Sequence, residues 1–244
     1  MTLVQDFHIA LAASAAALPG VELLPERLAR ACAQVLPVDG AGISLFFHTD
    51  RRLPLGASDP AAAEAERLQF TVGEGPCLSS HAEGRPLVAD EPTLRSRWPA
   101  YYDALVERSP IRGTISLPLT DDLNGIGALD LYVVPPNHAA HLSLGDALTI
   151  GDEVSAVFRA GGCYEQMPTD GPAWLDAPAA ERRSTVWQAI GFLNAGLEVS
   201  STDALSILRA HAYADGRDVD DLARKLIDRE VPLEQFRLDA DRPR

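Results

Sequence analysis

Cys77 is the side chain best placed for chemistry, because two glycines bracket the turn that delivers it, Gly73-Glu74-Gly75-Pro76-Cys77. Glycine adopts backbone angles closed to other residues, and proline suits the first turn of a helix, so Cys77 is expected to open a short helix. Amides exposed at a helix N-terminus lower a thiol pKa, which would suit ligand contact or thiol-based sensing. His81, Asp90, Trp98, Tyr101 and Tyr102 follow closely enough to share a pocket with it. The competing reading makes Cys77 a small buried hydrophobe in an aromatic core. The other cysteines, Cys32 and Cys163, lie far away, and an odd number of distant thiols suits neither a disulfide framework nor a metal site. His138 and His141 have no acidic ligand beside them. No nucleophile–base pair or phosphate loop stands out, so the chain is read as a non-enzyme without a metal or resident cofactor.

Composition sets the frame for these residues. The 244 residues are 46% hydrophobic and 23% charged, as in a soluble globular protein of one large or two modest domains. Formal net charge is −14; up to Glu165 there are 11 Arg against 21 Asp and Glu, and beyond it 10 cations against 14. Neither part has the basic excess usual for nucleic-acid binding. The apolar run Ile9–Leu18 is too short for a membrane span and lacks a basic leader, so a cytoplasmic location is expected.

The elements that must position Cys77 can be read from pattern. Leu3–Leu18 and Leu24–Leu36 read as helices, Ala41–Phe47 and Arg52–Ala57 as a strand pair, and Ser58 as the cap of a helix reaching about Leu68. A strand over Pro86–Ala89 and a helix over Trp98–Arg108 come next. Ile111–Leu119 and Ile126–Val134 form a hairpin across Asp121–Gly125, where Asn124-Gly125 favours a tight turn. Ser143 caps a helix to about Ala160, Gly161-Gly162 stops it, and Pro168, Pro172 and Pro178 suggest a linker. The expected division is 1–162 as an α+β domain with an antiparallel sheet, 163–179 as linker, 180–236 as an all-α unit and 237–244 as tail.

Over roughly residues 20 to 160 the order of elements resembles a GAF domain, a small-molecule sensor fold related to PAS. The resemblance rests on Gly73–Cys77, Trp98-Pro99, Ile111–Leu119 and Gly125–Tyr132, and the Gly-Glu-Gly-Pro-Cys string is typical of GAF domains fused to ANTAR domains in actinobacteria. It implies an unidentified small-molecule ligand held near Cys77, His81, Asp90, Trp98, Tyr101 and Tyr102, and a dimer paired through terminal helices. The cyclic-nucleotide signature is missing, and Cys77 precedes Leu78 rather than the His of bilin attachment sites. Free methionine-R-sulfoxide reductases share a Gly-x-Gly-x-Cys turn. Their chemistry needs a resolving thiol, and no cysteine lies between Leu78 and Leu119.

The C-terminal segment reads as three short amphipathic helices. Val186, Ile190, Leu193 and Leu197 form one apolar seam, and Leu205, Leu208 and Ala212 a second. Val219, Leu222, Ala223, Leu226 and Ile227 form the third, with Ser200 and Asp218 as expected caps. Arg182 to Ile227 resembles an ANTAR domain, the three-helix RNA-binding module of bacterial antitermination regulators. The likeness is strongest at Ala189-x-Gly191, Val199-Ser200, Ala204, Leu208-Arg209, Arg217, Val219 and Leu222-Ala223. It implies binding of paired RNA stem-loops through Arg209, Tyr213 and Arg217, with Arg182, Arg183, Arg224 and Lys225 at the phosphate backbone. Ile190, Gly196 and Asp218 depart from frequently basic positions, and Glu198 stands where the family usually has a turn glycine. The expected protein is a cytoplasmic dimeric antitermination regulator; the alternative is a ligand-sensing protein-interaction module that does not bind RNA.

Overall fold

The computed structural model describes residues 2–48, 51–120, 123–160 and 173–237. In chain order the elements are α1 (Leu3–Ala17), α2 (Leu24–Val35), β1 (Gly40–His48), β2 (Arg51–Ala57), α3 (Pro60–Val72) and α4 (Pro76–Glu83). There follow β3 (Leu87–Ala89), α5 (Glu91–Arg97), α6 (Pro99–Arg108), β4 (Gly113–Pro118), β5 (Gly127–Val133) and α7 (Leu144–Ala160). Helices α8 (Pro178–Leu197), α9 (Ser201–Ala214) and α10 (Val219–Ile227) complete the set. The strands form one antiparallel sheet in the order β2-β1-β5-β4-β3. This is the α+β arrangement expected, with an all-helical C-terminal region.

The two faces of the sheet follow from period-two alternation. Ile43, Leu45, Leu53, Leu55, Ile115, Leu117, Leu129 and Leu131 point one way and join α1, α2 and α7 in an apolar core. Gly42, Ser44, Arg52, Thr114, Ser116, Asp130 and Tyr132 alternate with them and lie under α3 and α4. Every residue of β5 is buried, so this second face is polar yet dry. Polar groups in that position must satisfy one another.

Helix α3 covers the polar face. Asp59, not Ser58, is its N-cap, accepting from the amides of Ala61 (2.8 Å) and Ala62 (3.1 Å). It runs beyond the expected Leu68 to Val72, where Gly73 stops it at φ 80°. Gly75, at φ 148°, then turns the chain into α4. Helix α5, which the sequence pattern did not suggest, is capped by Asp90. Ser143 caps α7 as expected, its Oγ accepting from the Asp146 amide at 3.3 Å. The expected Gly161-Gly162 stop, the turn residues Asp121 and Asp122, and the tail beyond Arg237 lie outside the described residues.

The C-terminal helices enclose their own core of Val186, Ala189, Ile190, Leu193, Ala204, Leu205, Leu208, Ala212, Val219, Leu222, Ala223 and Leu226. Ser200 caps α9 through the Asp203 amide (3.1 Å). Glu198 takes the left-handed conformation, φ 57°, that ends α8. A glycine, the residue expected there from the sequence resemblance, would adopt that angle without strain.

The two cores interlock. Phe70 of α3 lies wholly inside the helical core. In return Trp174, Ala177 and Ala180 are packed into the sheet's apolar core, so the described part of the expected linker is folded. Trp174 meets Phe158 of α7 edge-on at 6.2 Å. Helix α8 thus starts in one core and ends in the other.

Candidate functional site

Arg52 organises the polar face. Its Nη1 donates to the Glu66 carbonyl oxygen (2.9 Å), and Nη2 pairs with the Glu66 carboxylate, with Asp130 Oδ2 (3.2 Å) and with Cys77 Sγ (3.4 Å). Ser44 and Tyr132 donate to Glu66, and Ser116 to Asp130. Gln69 links the shell, donating to the Tyr132 hydroxyl (3.3 Å) while accepting from the Cys77 amide (2.9 Å). Gly42 makes room for Glu66, since a Cβ there would fall 2.5 Å from its carboxylate. Arg52, Glu66 and Asp130 are all essentially without solvent contact.

One cation thus faces two carboxylates in a dry site. Burial, then the charge of Glu66, pushes the Asp130 carboxyl up to about 8. Burial works against the Arg52 cation too, but Cys77, Glu66 and Asp130 outweigh it and hold its pKa above the usual arginine range. Asp130 keeps its proton when folded but releases it near pH ~4 when unfolded, so between those limits the folded state binds more protons. The stability it contributes is therefore whole at low pH and is lost as pH rises towards about 8. Asp130→Asn, which cannot ionise, is expected to remove that slope, up to ~1.4 kcal/mol per pH unit relative to wild type. Urea unfolding of both proteins at about pH 5 and about pH 7 checks this; parallel pH dependence would show that Asp130 is ionised in the folded protein.

The expected pocket residues divide. Cys77, at the start of α4, joins the cluster, and Tyr101 is buried beside it with a hydroxyl that has no hydrogen-bond partner. His81 stacks on Phe46 with ring centroids 3.8 Å apart, and burial lowers its pKa. Asp90 is an exposed cap, its carboxyl held below the usual range by Thr93. Trp98 donates to Ser79 Oγ (3.0 Å), and the Tyr102 hydroxyl donates to Glu91 (2.7 Å). Neither reaches Cys77 in those bonds. The expected lowering of the Cys77 pKa is reversed: complete burial pushes the thiol well above its usual value, and the nearby carboxylates add to this despite Arg52. A thiol in that state is a poor nucleophile. Arg52, Glu66 and Asp130 were missed by sequence reasoning, although a charged residue in an apolar strand such as Gly127–Val133 signals a buried partner.

The basic side chains expected at RNA occupy several environments. Arg183 is fully buried at the junction of the two cores, its Cζ 3.3 Å from the Phe70 ring centroid and Nη2 3.4 Å from Asp220. Burial lowers its pKa to about 10. In this arrangement it cannot reach a phosphate backbone. Arg209 Nε donates to the Phe70 carbonyl oxygen (2.8 Å), and its guanidinium lies 4.9 Å from the same ring. Arg182 and Arg217 are exposed, and Tyr213 is 50% exposed. Arg224 is paired with Asp228 at 3.6 Å and Lys225 with Glu230 at 3.8 Å. Tyr213 and Arg217 share a groove with Asp103 and Glu107 of α6. Among the described residues no group of metal-ligating side chains gathers, and no helix is long and apolar enough to cross a membrane.

Ile190, Gly196 and Asp218, where the sequence resemblance led to an expectation of basic residues, each have a packing role. Ile190 is in the helical core, and Gly196 leaves space for Leu233, whose Cδ2 would lie 2.3 Å from a Cβ. Asp218 does not cap α10 with its side chain as expected. Its carboxylate is gripped instead by Arg67 (3.0 Å) and Arg108 (2.7 Å), while the next amide, Val219, donates to Thr71 Oγ1 (3.1 Å).

No family model matches the sequence, and no curated protein matches it. Among solved structures, the GAF domain of a phosphoenolpyruvate-protein phosphotransferase from Coxiella burnetii is similar at 15% identity. That match covers 65% of this chain and 98% of that one, with a TM-score of 0.44. A free methionine-R-sulfoxide reductase from Neisseria meningitidis, solved with its substrate, is 15% identical over 66% of this chain and 92% of its own, TM-score 0.41. A domain of a sensor histidine kinase from Sinorhizobium meliloti is 20% identical over 57% and 91%, TM-score 0.43. At TM-scores of 0.41–0.44 these are likenesses of backbone course and carry no ligand or activity to this chain.

Proposed function

We propose that the chain is a signal-responsive RNA-binding regulator of transcription termination, with a GAF-like sensor restraining an ANTAR-like output module. The observation that carries this reading is α3. Its Glu66 and Gln69 hold the buried cluster, and one residue on, Phe70 sits inside the output core. A change in the cluster therefore displaces a side chain on which Arg183 and Arg209 both rest. Here the proposed RNA face is engaged: Arg209 is spent on Phe70, and Tyr213 and Arg217 look across at Asp103 and Glu107. Carboxylates in that position repel phosphate, so this arrangement is the restrained one, and a signal acts by favouring an open state. A dimer paired through α1 and α7 fits the exposed Ile9, Leu144 and Leu148 on those helices.

A gel-shift titration with a two-hairpin RNA and its scrambled counterpart at low salt tests the reading. Wild-type protein is expected to prefer the paired hairpins, and Arg209→Ala combined with Arg217→Ala to weaken binding at least about tenfold. Equal binding of both RNAs by wild type would favour the protein-interaction module.

A further inference from the structure

We infer that the buried cluster of Arg52, Glu66 and Asp130 is a proton-operated switch: loss of one proton from its carboxylate pair loosens α3 and draws Phe70 out of the C-terminal core. Glu66 Oε2 and Asp130 Oδ2 both accept from the same Arg52 Nη2, and all three side chains are essentially without solvent contact. A single cation thus faces two acids in a dry site, where the second ionisation meets no counter-charge of its own. The hydrogen bonds assign the retained proton to Asp130. Glu66 is held by Arg52, Ser44 and the Tyr132 hydroxyl, whereas Asp130 has Ser116 and the longer 3.2 Å contact with Arg52.

Among the described residues the other groups around this pair keep one charge state from near neutral to mildly alkaline pH. Burial holds the Cys77 thiol of α4, the Tyr101 hydroxyl of α6 and the Tyr132 hydroxyl of β5 well above their usual values, so all three stay protonated. Arg52 of β2 stays cationic, and burial lowers His81 of α4, which stays neutral. Arg183 of α8, whose charge repels that of Arg52, keeps its proton up to about 10. Glu66 of α3 carries the charge that opposes ionisation of Asp130, whose carboxyl at about 8 is left to titrate.

Arg52 and Asp130 are fixed on strands of one sheet, so the movable partner is Glu66 on its helix. Loss of the proton to water sets two like charges on one guanidinium nitrogen, and a shift of α3 away from the sheet relieves them. One helical turn beyond Glu66, Phe70 sits in the core of α8, α9 and α10, where Arg183 and Arg209 rest on its ring. In the shifted state Asp130 is solvated and its carboxyl returns towards ~4. The closed state therefore holds the extra proton, is favoured at low pH, and loses ground as pH rises to about 8. The inference rests on the coupling through α3 proposed above and makes the proton its signal.

Hydrogen–deuterium exchange of the full chain at about pH 6.5 and about pH 8.5, corrected for intrinsic exchange rates, tests it. No RNA is involved, so a failed RNA titration leaves it standing. Amides of α9 and α10 are expected to lose at least about tenfold in protection relative to those of α1 and α2, since linkage allows up to about tenfold per pH unit. Asp130→Asn is expected to hold that relative loss under about twofold. Glu66→Gln, which leaves Asp130 as the only carboxylate on Arg52, is expected to flatten it as well. A relative loss under about twofold in wild type overturns the inference, as does equal loss in all four helices. A relative loss in Asp130→Asn that matches wild type also overturns it, and Glu66→Gln decides in its place if that variant fails to fold.

Discussion

Replacing Arg52 by alanine is expected to cost about 3–5 kcal/mol of folding stability, because removing one member of a buried ion cluster strands the others. Among the described residues the guanidinium is the sole positive charge paired with the Glu66 carboxylate and the Asp130 carboxyl, and it also donates to Cys77 and to the α3 backbone. Without it Glu66 retains the hydroxyls of Ser44 and Tyr132 but no counter-charge. The loss is thus one of an uncompensated charge more than of packing. An all-neutral version, Arg52→Met with Glu66→Gln and Asp130→Asn, is expected to recover much of the stability, since replacing a whole buried cluster is far milder than breaking it. Urea unfolding of the three proteins decides. A single Arg52→Ala loss below about 1 kcal/mol would mean that water reaches the cluster.

Phe70→Ala is expected to cost a similar amount, about 3–5 kcal/mol, and to act on a different part of the molecule. The ring is wholly buried among residues of α8, α9 and α10, edge-on to Trp187 at 6.1 Å. Truncation opens a cavity and removes the surface under Arg183 and Arg209, leaving two guanidinium groups without their ring. Unfolding of the C-terminal helices should then separate from that of the sheet, giving two transitions where the wild type gives one. Phe70→Leu keeps most of the volume and should lose far less. A single transition shifted by under about 1 kcal/mol would show that the helices stand without α3.

Much of this architecture is legible in the chain. Alternation in Ala41–Phe47 and Ile126–Val134 marks strands with two distinct faces, and Asn124-Gly125 sets a hairpin. The spacing of Val186, Ile190 and Leu193 gives α8 its buried face. Cys77 at the end of a double-glycine turn is legible as a buried position, though the sign of its pKa shift is not, because that depends on burial that only long-range packing creates. Arg52, Glu66 and Asp130 come from three elements separated by up to 78 residues, and no local pattern brings them together.

The seam between the cores was the least readable part. Arginine is so rarely buried that Arg183, and with it the half-buried Arg209, reads naturally as a surface cation. Phe70 looks like the frayed end of a sheet-covering helix, and Asp218 like a cap. Each is committed instead to a partner on the other unit, and such commitments carry no periodicity.

Asp218 offers the most direct test of the central claim, that the sensor restrains the RNA face through this seam. Two arginines of the sheet unit, Arg67 and Arg108, close on its carboxylate. Asp218→Asn weakens that grip without touching Arg209, Tyr213 or Arg217. Its affinity for a two-hairpin RNA is expected to rise about tenfold over wild type, as the open state becomes more populated. Asp215→Asn removes the same charge from the exposed C-cap of α9 and should gain no more than about twofold. Equal gains in the two variants, or none in Asp218→Asn, would contradict the account.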